Sequence, residues 1–309
     1  MFIHKIDKYK NLILIGYFRF GGEILFNIFK NSGRLGIEIS NSIKIAEFKE
    51  NKFKTGEYKQ LTIEELKNFT SKDTITSIST KDIKIKFIKI PDDLSTKEIE
   101  QMVELEFADE NLVIQHEVVE SLQEKYVIGY GVEKPLIKER FEQLKALKLK
   151  PKVVETEFHA NIRYLYSQYP DLSETVSLID IGDKTTDLII AQGGRLIFLR
   201  SFDFAGRHIT EKLATINRIT SEQAERYKKQ GVTKEELRII LEELRSQIYQ
   251  SIDYFQSEYK VRVAKLFLTG GSSNFKGLQS YLEDQIGIEA IKLEDNLYSV
   301  VKGLALREE

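Results

Sequence analysis

The chain has 309 residues, 41% of them hydrophobic, which supplies a sizeable core for one large or two ordinary domains and excludes a disordered chain. Its 46 basic and 48 acidic side chains leave a net charge of −2, a balance that fits neither a nucleic-acid binder nor an acidic tail protein. There is no cysteine, and His4, His116, His159 and His208 are scattered without ligand spacing, so disulfides, thiolate zinc sites and cysteine nucleophiles are excluded and a histidine metal centre is not expected.

In chain order, residues 11–29 are strongly apolar but carry Arg19 and Glu23, and their uninterrupted runs are too short to span a bilayer. This segment reads as a hydrophobic element packed on the domain or as an interfacial anchor or partner-binding segment. Residues 36–48 alternate apolar and polar side chains around Asn41-Ser42, the pattern of a β-hairpin. Strands are expected at 74–80 and 83–90, the second dotted with lysines as an edge strand would be. Ser95-Thr-Lys-Glu98 is a capping box opening an amphipathic helix. Strands at 115–122 and 125–131 and a charged helix at 134–149 follow, then a helix at 153–167. A second hairpin spans 175–181 and 186–192 around Gly182-Asp-Lys184, with a third strand at 195–202. Helices are expected at 206–217, 221–230 and 234–259, then a buried strand at 263–268, a Thr269-Gly-Gly-Ser-Ser273 loop and a helix at 277–285. A hairpin with a hydroxyl-bearing turn thus heads each of two β-rich halves.

These pieces suit a nucleotide clamp. Tight turns aim backbone N–H groups at phosphate oxygens, hydroxyls add donors, and a carboxylate can hold hydrated Mg2+ through its waters. The first hairpin offers Glu38, Asn41, Ser42 and Lys44, and the second Asp180, Gly182, Thr185 and Thr186. Gly270 and Gly271 allow close backbone approach to a nucleoside.

Asp180-Ile-Gly-Asp-Lys-Thr-Thr-Asp187 resembles the second phosphate motif of the actin-like ATPases, residues 36–48 the first, and Leu268-Thr-Gly-Gly-Ser-Ser-Asn-Phe-Lys-Gly-Leu278 the adenosine motif. Within that group, Phe204-Ala-Gly-Arg-His-Ile-Thr-Glu211, Ala224-Glu-Arg-Tyr-Lys228 and Leu244-Arg-Ser-Gln-Ile-Tyr-Gln-Ser-Ile-Asp-Tyr-Phe255 resemble the PilM family of type IV pilus assembly proteins, as does Val153-Val-Glu-Thr-Glu157. The resemblance covers about residues 34–306.

It implies an α/β, actin-like (ribonuclease H-like) two-lobed fold with nucleotide in the cleft. The first lobe would take 34–90 and 151–174, a small β/α inserted subdomain 91–150, and the second lobe 175–309 with a helical region at 204–260; residues 1–33 form an N-terminal hydrophobic extension. ATP or ADP with Mg2+ would be held by Glu38, Ser40, Asn41, Ser42, Lys44, Gly182, Lys184, Thr185, Thr186, Gly206, Glu225, Lys228, Gly270, Gly271 and Ser272, with Asp180 and Glu38 at the metal. Glu225 and Lys228 would face the adenosine or form a surface ion pair. Glu157, or secondarily Glu155, would orient the attacking water or be a solvated helix-start carboxylate.

The first motif departs from its family pattern, with Glu38 for aspartate and Ser40 for glycine, so slow or absent hydrolysis is expected. The resemblance further implies a cytoplasmic scaffold at the inner face of the cytoplasmic membrane, in a pilus or related secretion machine. Its partner would be the N-terminal cytoplasmic tail of a PilN-like inner-membrane protein, gripped near 83–90 and 95–110, with self-association possible, no nucleic acid bound, and membrane contact indirect or through 11–29. The alternatives are an FtsA-like polymerising cell-division protein and a small-molecule kinase on the same core.

Overall fold

A computed structural model describes residues 33–121 and 124–308; the hydrophobic segment 11–29 lies outside the described residues. Two compact units emerge: the described residues up to Pro170 together with those from Val300, and Asp171–Ser299.

The first unit carries a five-stranded sheet in the order β3-β2-β1-β4-β8, built from β1 (Leu35–Ile39), β2 (Ile43–Lys49), β3 (Lys52–Tyr58), β4 (Asp73–Ile78) and β8 (Lys150–Thr156). The β1–β2 and β2–β3 pairs are antiparallel and the β1–β4 and β4–β8 pairs parallel, so β1, β4 and β8 end at the same edge of the sheet. Leu35, Ile37 and Ile45 supply its buried face, packed with Leu61, Leu66 and Leu144.

Between β4 and β8 lies an antiparallel sheet in the order β5-β7-β6, from β5 (Ile83–Lys89), β6 (Leu112–Ser121) and β7 (Glu124–Glu133). The lysine-dotted β5 is an edge strand of this sheet, rather than ending the first lobe's strands at residue 90 as the sequence suggests. Helix α1 (Thr96–Phe107) covers one face, and its Ser95 capping box is present in full. The Phe107 ring occupies the space where a side chain on Gly129 or Gly131 of β7 would stand. Helix α2 (Lys134–Ala146) leads back to β8, and α3 (Glu157–Gln168) follows.

The helix expected from residue 153 begins at Glu157 instead. Val153 and Val154 belong to β8 and pair with Ile75 and Thr76 of β4. A short run of branched apolar residues suits a buried strand, and periodicity alone does not separate it from the helix that follows.

The second unit repeats the first sheet's plan. Its order is β11-β10-β9-β12-β13, from β9 (Val176–Ile181), β10 (Thr186–Gln192), β11 (Arg195–Phe202), β12 (Leu266–Thr269) and β13 (Ala290–Lys292). Again three antiparallel strands are followed by two parallel ones. Helices α4 (Gly206–Asn217), α5 (Ser221–Gln230) and α6 (Lys234–Tyr259) are inserted after β11, and α7 (Leu278–Ile286) joins β12 to β13. Thr220 and Thr233 open α5 and α6 with capping boxes.

The last helix, α8 (Ser299–Ala305), corrects the expectation that the second lobe runs to residue 309, because from Val300 it belongs to the first unit. Gly36 and Gly303 admit it: a Cβ on Gly36 would strike the Val301 carbonyl, and one on Gly303 the Ala160 carbonyl. Lys302 is buried over the rings of Phe53, 4.7 Å away, and Tyr164, 5.4 Å away. Gly303→Val should cost about 3 kcal/mol or more, because backbone must move to admit the side chain; an unchanged denaturation midpoint would refute this close crossing.

Candidate functional site

In the second unit, two loops at the carboxyl ends of parallel β9 and β12 come together, the usual location for a ligand on an open α/β sheet. The turn after β9 closes with the Gly182 N–H donating to the Thr185 carbonyl at 3.0 Å. The Gly182 carbonyl accepts from the Gly206 N–H at 3.1 Å, at the start of α4, and from Ser272 Oγ at 2.7 Å. A Cβ on Gly206 would run into the Ser272 hydroxyl. Gly270 adopts φ +83°, and a Cβ there would meet the Asp180 carboxylate and the Ile181 carbonyl. Glycine is therefore required at Gly270 by close approach and backbone conformation, while a side chain at Gly206 would displace the Ser272 hydroxyl from the Gly182 carbonyl. Asn296 fixes the loop from behind, its amide donating to the Gly270 carbonyl at 2.9 Å.

Helix α5 packs its charged pair onto the start of α4. Lys228 Nζ donates to the Gly206 carbonyl at 3.0 Å, to Thr210 Oγ1 at 3.1 Å and to Glu225 Oε1 at 3.0 Å, while Thr210 also donates to Glu225. Burial raises the Glu225 carboxyl, but the Thr210 hydroxyl and Lys228 outweigh it and leave it below its ordinary value. The pair is thus more than a surface i,i+3 contact. Asp180, Gly182, Lys184, Thr185, Gly206, Glu225, Lys228, Gly270, Gly271 and Ser272 all belong to this one cluster of loops and helix starts, with Asp183 and Lys184 exposed at the turn. Thr186 departs from that expectation: it is fully buried and its hydroxyl donates to the Phe204 carbonyl at 2.6 Å, which braces the loop before α4. Thr210 was missed by sequence reasoning; its spacing from Gly206, one turn of helix, was the available signal.

In the first unit the β1–β2 turn holds Ser40 and Asn41 exposed and Ser42 half-buried. Buried Glu38 is engaged by Lys44 Nζ at 3.0 Å and Ser40 Oγ at 3.1 Å, and Ser42 Oγ donates to Glu57 at 2.6 Å. A metal at Glu38 would have to compete with Lys44. Glu157 stands half-buried at the first position of α3, after the carboxyl end of β8.

Glu155, the secondary candidate for orienting water, has a different role. Its carboxylate is buried and accepts from Arg163 Nη1 at 2.8 Å and Nη2, and from Arg307 Nη1 at 2.7 Å. Burial pushes this carboxyl up, but Arg163 and Arg307 outweigh it and hold it at about 2. Beside it, His159 Nδ1 meets Thr156 Oγ1 at 2.6 Å and Nε2 meets Glu117 Oε1 at 3.2 Å, while Tyr130 also donates to Glu117, which ties the three-stranded sheet to α3. Among the described residues no group of three acidic or histidine side chains is arranged to hold a metal, and no helix is long and apolar enough to cross a membrane.

The duplicated 3-2-1-4-5 sheets define the class, an actin-like fold. Solved structures agree: MreB5 of Spiroplasma citri bound to AMPPNP aligns at TM-score 0.51 and 13% identity, covering 88% of this chain and 95% of that one. A Bacteroides thetaiotaomicron protein with an actin-like ATPase fold aligns at TM-score 0.50 and 14% identity, covering 93% of this chain and 100% of that one. A chain of a PilM–PilN type IV pilus biogenesis complex aligns at TM-score 0.75 and 20% identity, covering 89% of this chain and 98% of that one. Residues 61–297 match the family model described as type IV pilus assembly protein PilM, and the chain belongs to that family.

Proposed function

We propose that this protein is a scaffold of a type IV pilus or related secretion machine, working at the cytoplasmic face of the inner membrane. It binds ATP or ADP with Mg2+ and captures the N-terminal tail of a PilN-like membrane protein. The observation that carries the nucleotide half is the junction of Gly182, Gly206 and Ser272 beside the Asp180–Gly270 contact, a cradle that any Cβ would fill. Asp180 at the end of β9 suits a hydrated Mg2+, which needs only one or two protein carboxylates. The metal would supply charge neutralisation to the phosphates; Lys184, Thr185 and the turn backbone would orient them, and Glu225 and Lys228 would border the nucleoside. Lys228→Met removes three hydrogen bonds and should weaken nucleotide binding roughly 10-fold or more; equal affinity in a binding titration would remove the pair from the site.

The tail half is supported by the PilN partner in the similar PilM–PilN complex and by the edge strand β5, which offers a row of backbone groups to an added strand. Phe87 on β5 and Leu105 on α1 are exposed apolar side chains of the same subdomain. A synthetic tail peptide should be retained by the full chain, and the double variant Phe87→Asp, Leu105→Asp should lose it. No retention by the wild-type chain, with or without nucleotide, rejects the partner assignment.

A further inference from the structure

Asn296 acts on the glycine loop from outside every sequence motif. It opens the one-turn 3-10 helix Asn296–Tyr298 after β13. Asp295 at φ +45°, its carbonyl accepting from the Tyr298 N–H at 2.7 Å, turns the chain back toward the end of β12. Both polar backbone groups of Gly270 are taken by this one residue. The Gly270 N–H donates to the Asn296 carbonyl at 3.2 Å, and the Gly270 carbonyl accepts from Asn296 Nδ2 at 2.9 Å. Nδ2 also donates to Ser273 Oγ at 2.5 Å, and that hydroxyl donates on to the Gly270 carbonyl at 2.7 Å. A glycine at φ +83° has no side chain to anchor it, so these bonds set its conformation.

The Asn296 amide has a defined direction. Lys292 ends β13, where it pairs with Leu268 of parallel β12, so its ammonium reaches the loop that leaves β12. Lys292 Nζ donates to Asn274 Oδ1 at 3.1 Å, and Asn274 Nδ2 donates to Asn296 Oδ1 at 3.3 Å. An ammonium can only donate and a peptide carbonyl can only accept. With Lys292 at one end and Gly270 at the other, both amides between them present oxygen toward the lysine and nitrogen toward the glycine. Turning Asn296 over would set two acceptors, its own oxygen and the Gly270 carbonyl, against each other.

Resting on the nucleotide reading, we propose that Asn296 is a positioning residue for the nucleoside, acting through Gly270, and that Lys292 and Asn274 aim its amide. The relay holds the peptide whose Cα lies against the Asp180 carboxylate, so the glycine loop and that carboxylate keep one spacing. Every residue of it belongs to the second unit. A loop already held in its binding form costs a ligand less ordering on association.

The test is calorimetric titration of the full chain with ADP and Mg2+, well below the melting temperature of each variant, so that only folded protein is titrated. Asn296→Ala should weaken binding roughly 10-fold. Lys292→Met, at an exposed position, should weaken it about 3-fold in the wild type and no further in the Asn296→Ala background, because the lysine acts only through the asparagine. Wild-type affinity in folded Asn296→Ala would make the residue purely structural and overturn the proposal. Lys292→Met without effect, or with the same effect in both backgrounds, would overturn the relay. If Asn296→Ala does not fold, Asn274→Asp decides: its exposed carboxylate cannot donate to Asn296, so about 3-fold weaker binding is expected and unchanged affinity overturns the proposal. A wild-type chain that binds no ADP overturns the nucleotide reading itself and this inference with it, whereas wild-type binding that the variants leave intact overturns this inference alone.

Discussion

Glu155→Gln should destabilise the first unit by about 3–5 kcal/mol, the cost of stranding buried partner charges. The carboxylate lies between Arg163 and Arg307, which are buried with it, and Arg163 Nη1 also holds the Gly303 carbonyl at 2.9 Å. Neutralising Glu155 leaves the buried Arg163 and Arg307 guanidiniums without the carboxylate they share, at the junction of β8, α3 and the C-terminal helix. Chemical denaturation measures the loss; a midpoint within experimental error of wild type would show that the cluster is not the anchor its geometry suggests. Adding Arg307→Leu should cost less than the sum of the two single changes, since the second removes a charge the first stranded.

The same cluster predicts the response to acid. The folded carboxyl is held at about 2, against its ordinary 4.5, so its contribution is fully present above about pH 4.5 and is lost as the pH falls toward 2. That shift corresponds to about 3 kcal/mol. Glu155→Gln should flatten this part of the stability profile; a slope between pH 4.5 and 2 as steep as in the wild type would contradict the assignment.

Gly270→Val is the second large effect. A β-branched residue at φ +83° is strained by itself, and its Cβ would drive into the Asp180 carboxylate and Ile181 carbonyl. The expected cost is about 4 kcal/mol or more, together with loss of nucleotide binding. The milder Ser272→Ala removes only the bond to the Gly182 carbonyl and should cost about 1 kcal/mol, so it separates damage to the ligand site from damage to the fold. If Gly270→Val binds nucleotide with wild-type affinity, the glycine loop is not part of the site.

Local signals in the sequence were strong where chemistry and structure coincide. Both hairpins, the capping boxes at Ser95, Thr220 and Thr233, and the helices from Gly206 to Tyr259 were readable because turn residues and caps act over three or four positions. What escaped was long-range. Nothing near Glu155 announces Arg307, which lies 152 residues away, and nothing near Gly36 announces Val301. The strand β8 was hidden by the helix that follows it, because its pairing partner, β4, is far away in sequence. Thr186 shows the converse: the motif gives its hydroxyl no address, and the fold directs it to the Phe204 carbonyl 18 residues on.

Calorimetric titration of the full chain with AMPPNP and Mg2+ tests the central claim most directly. The expected result is one saturable site per chain, with a raised melting temperature in the presence of ligand. An absence of saturable heat, with no change in melting at saturating ligand concentration, would contradict it.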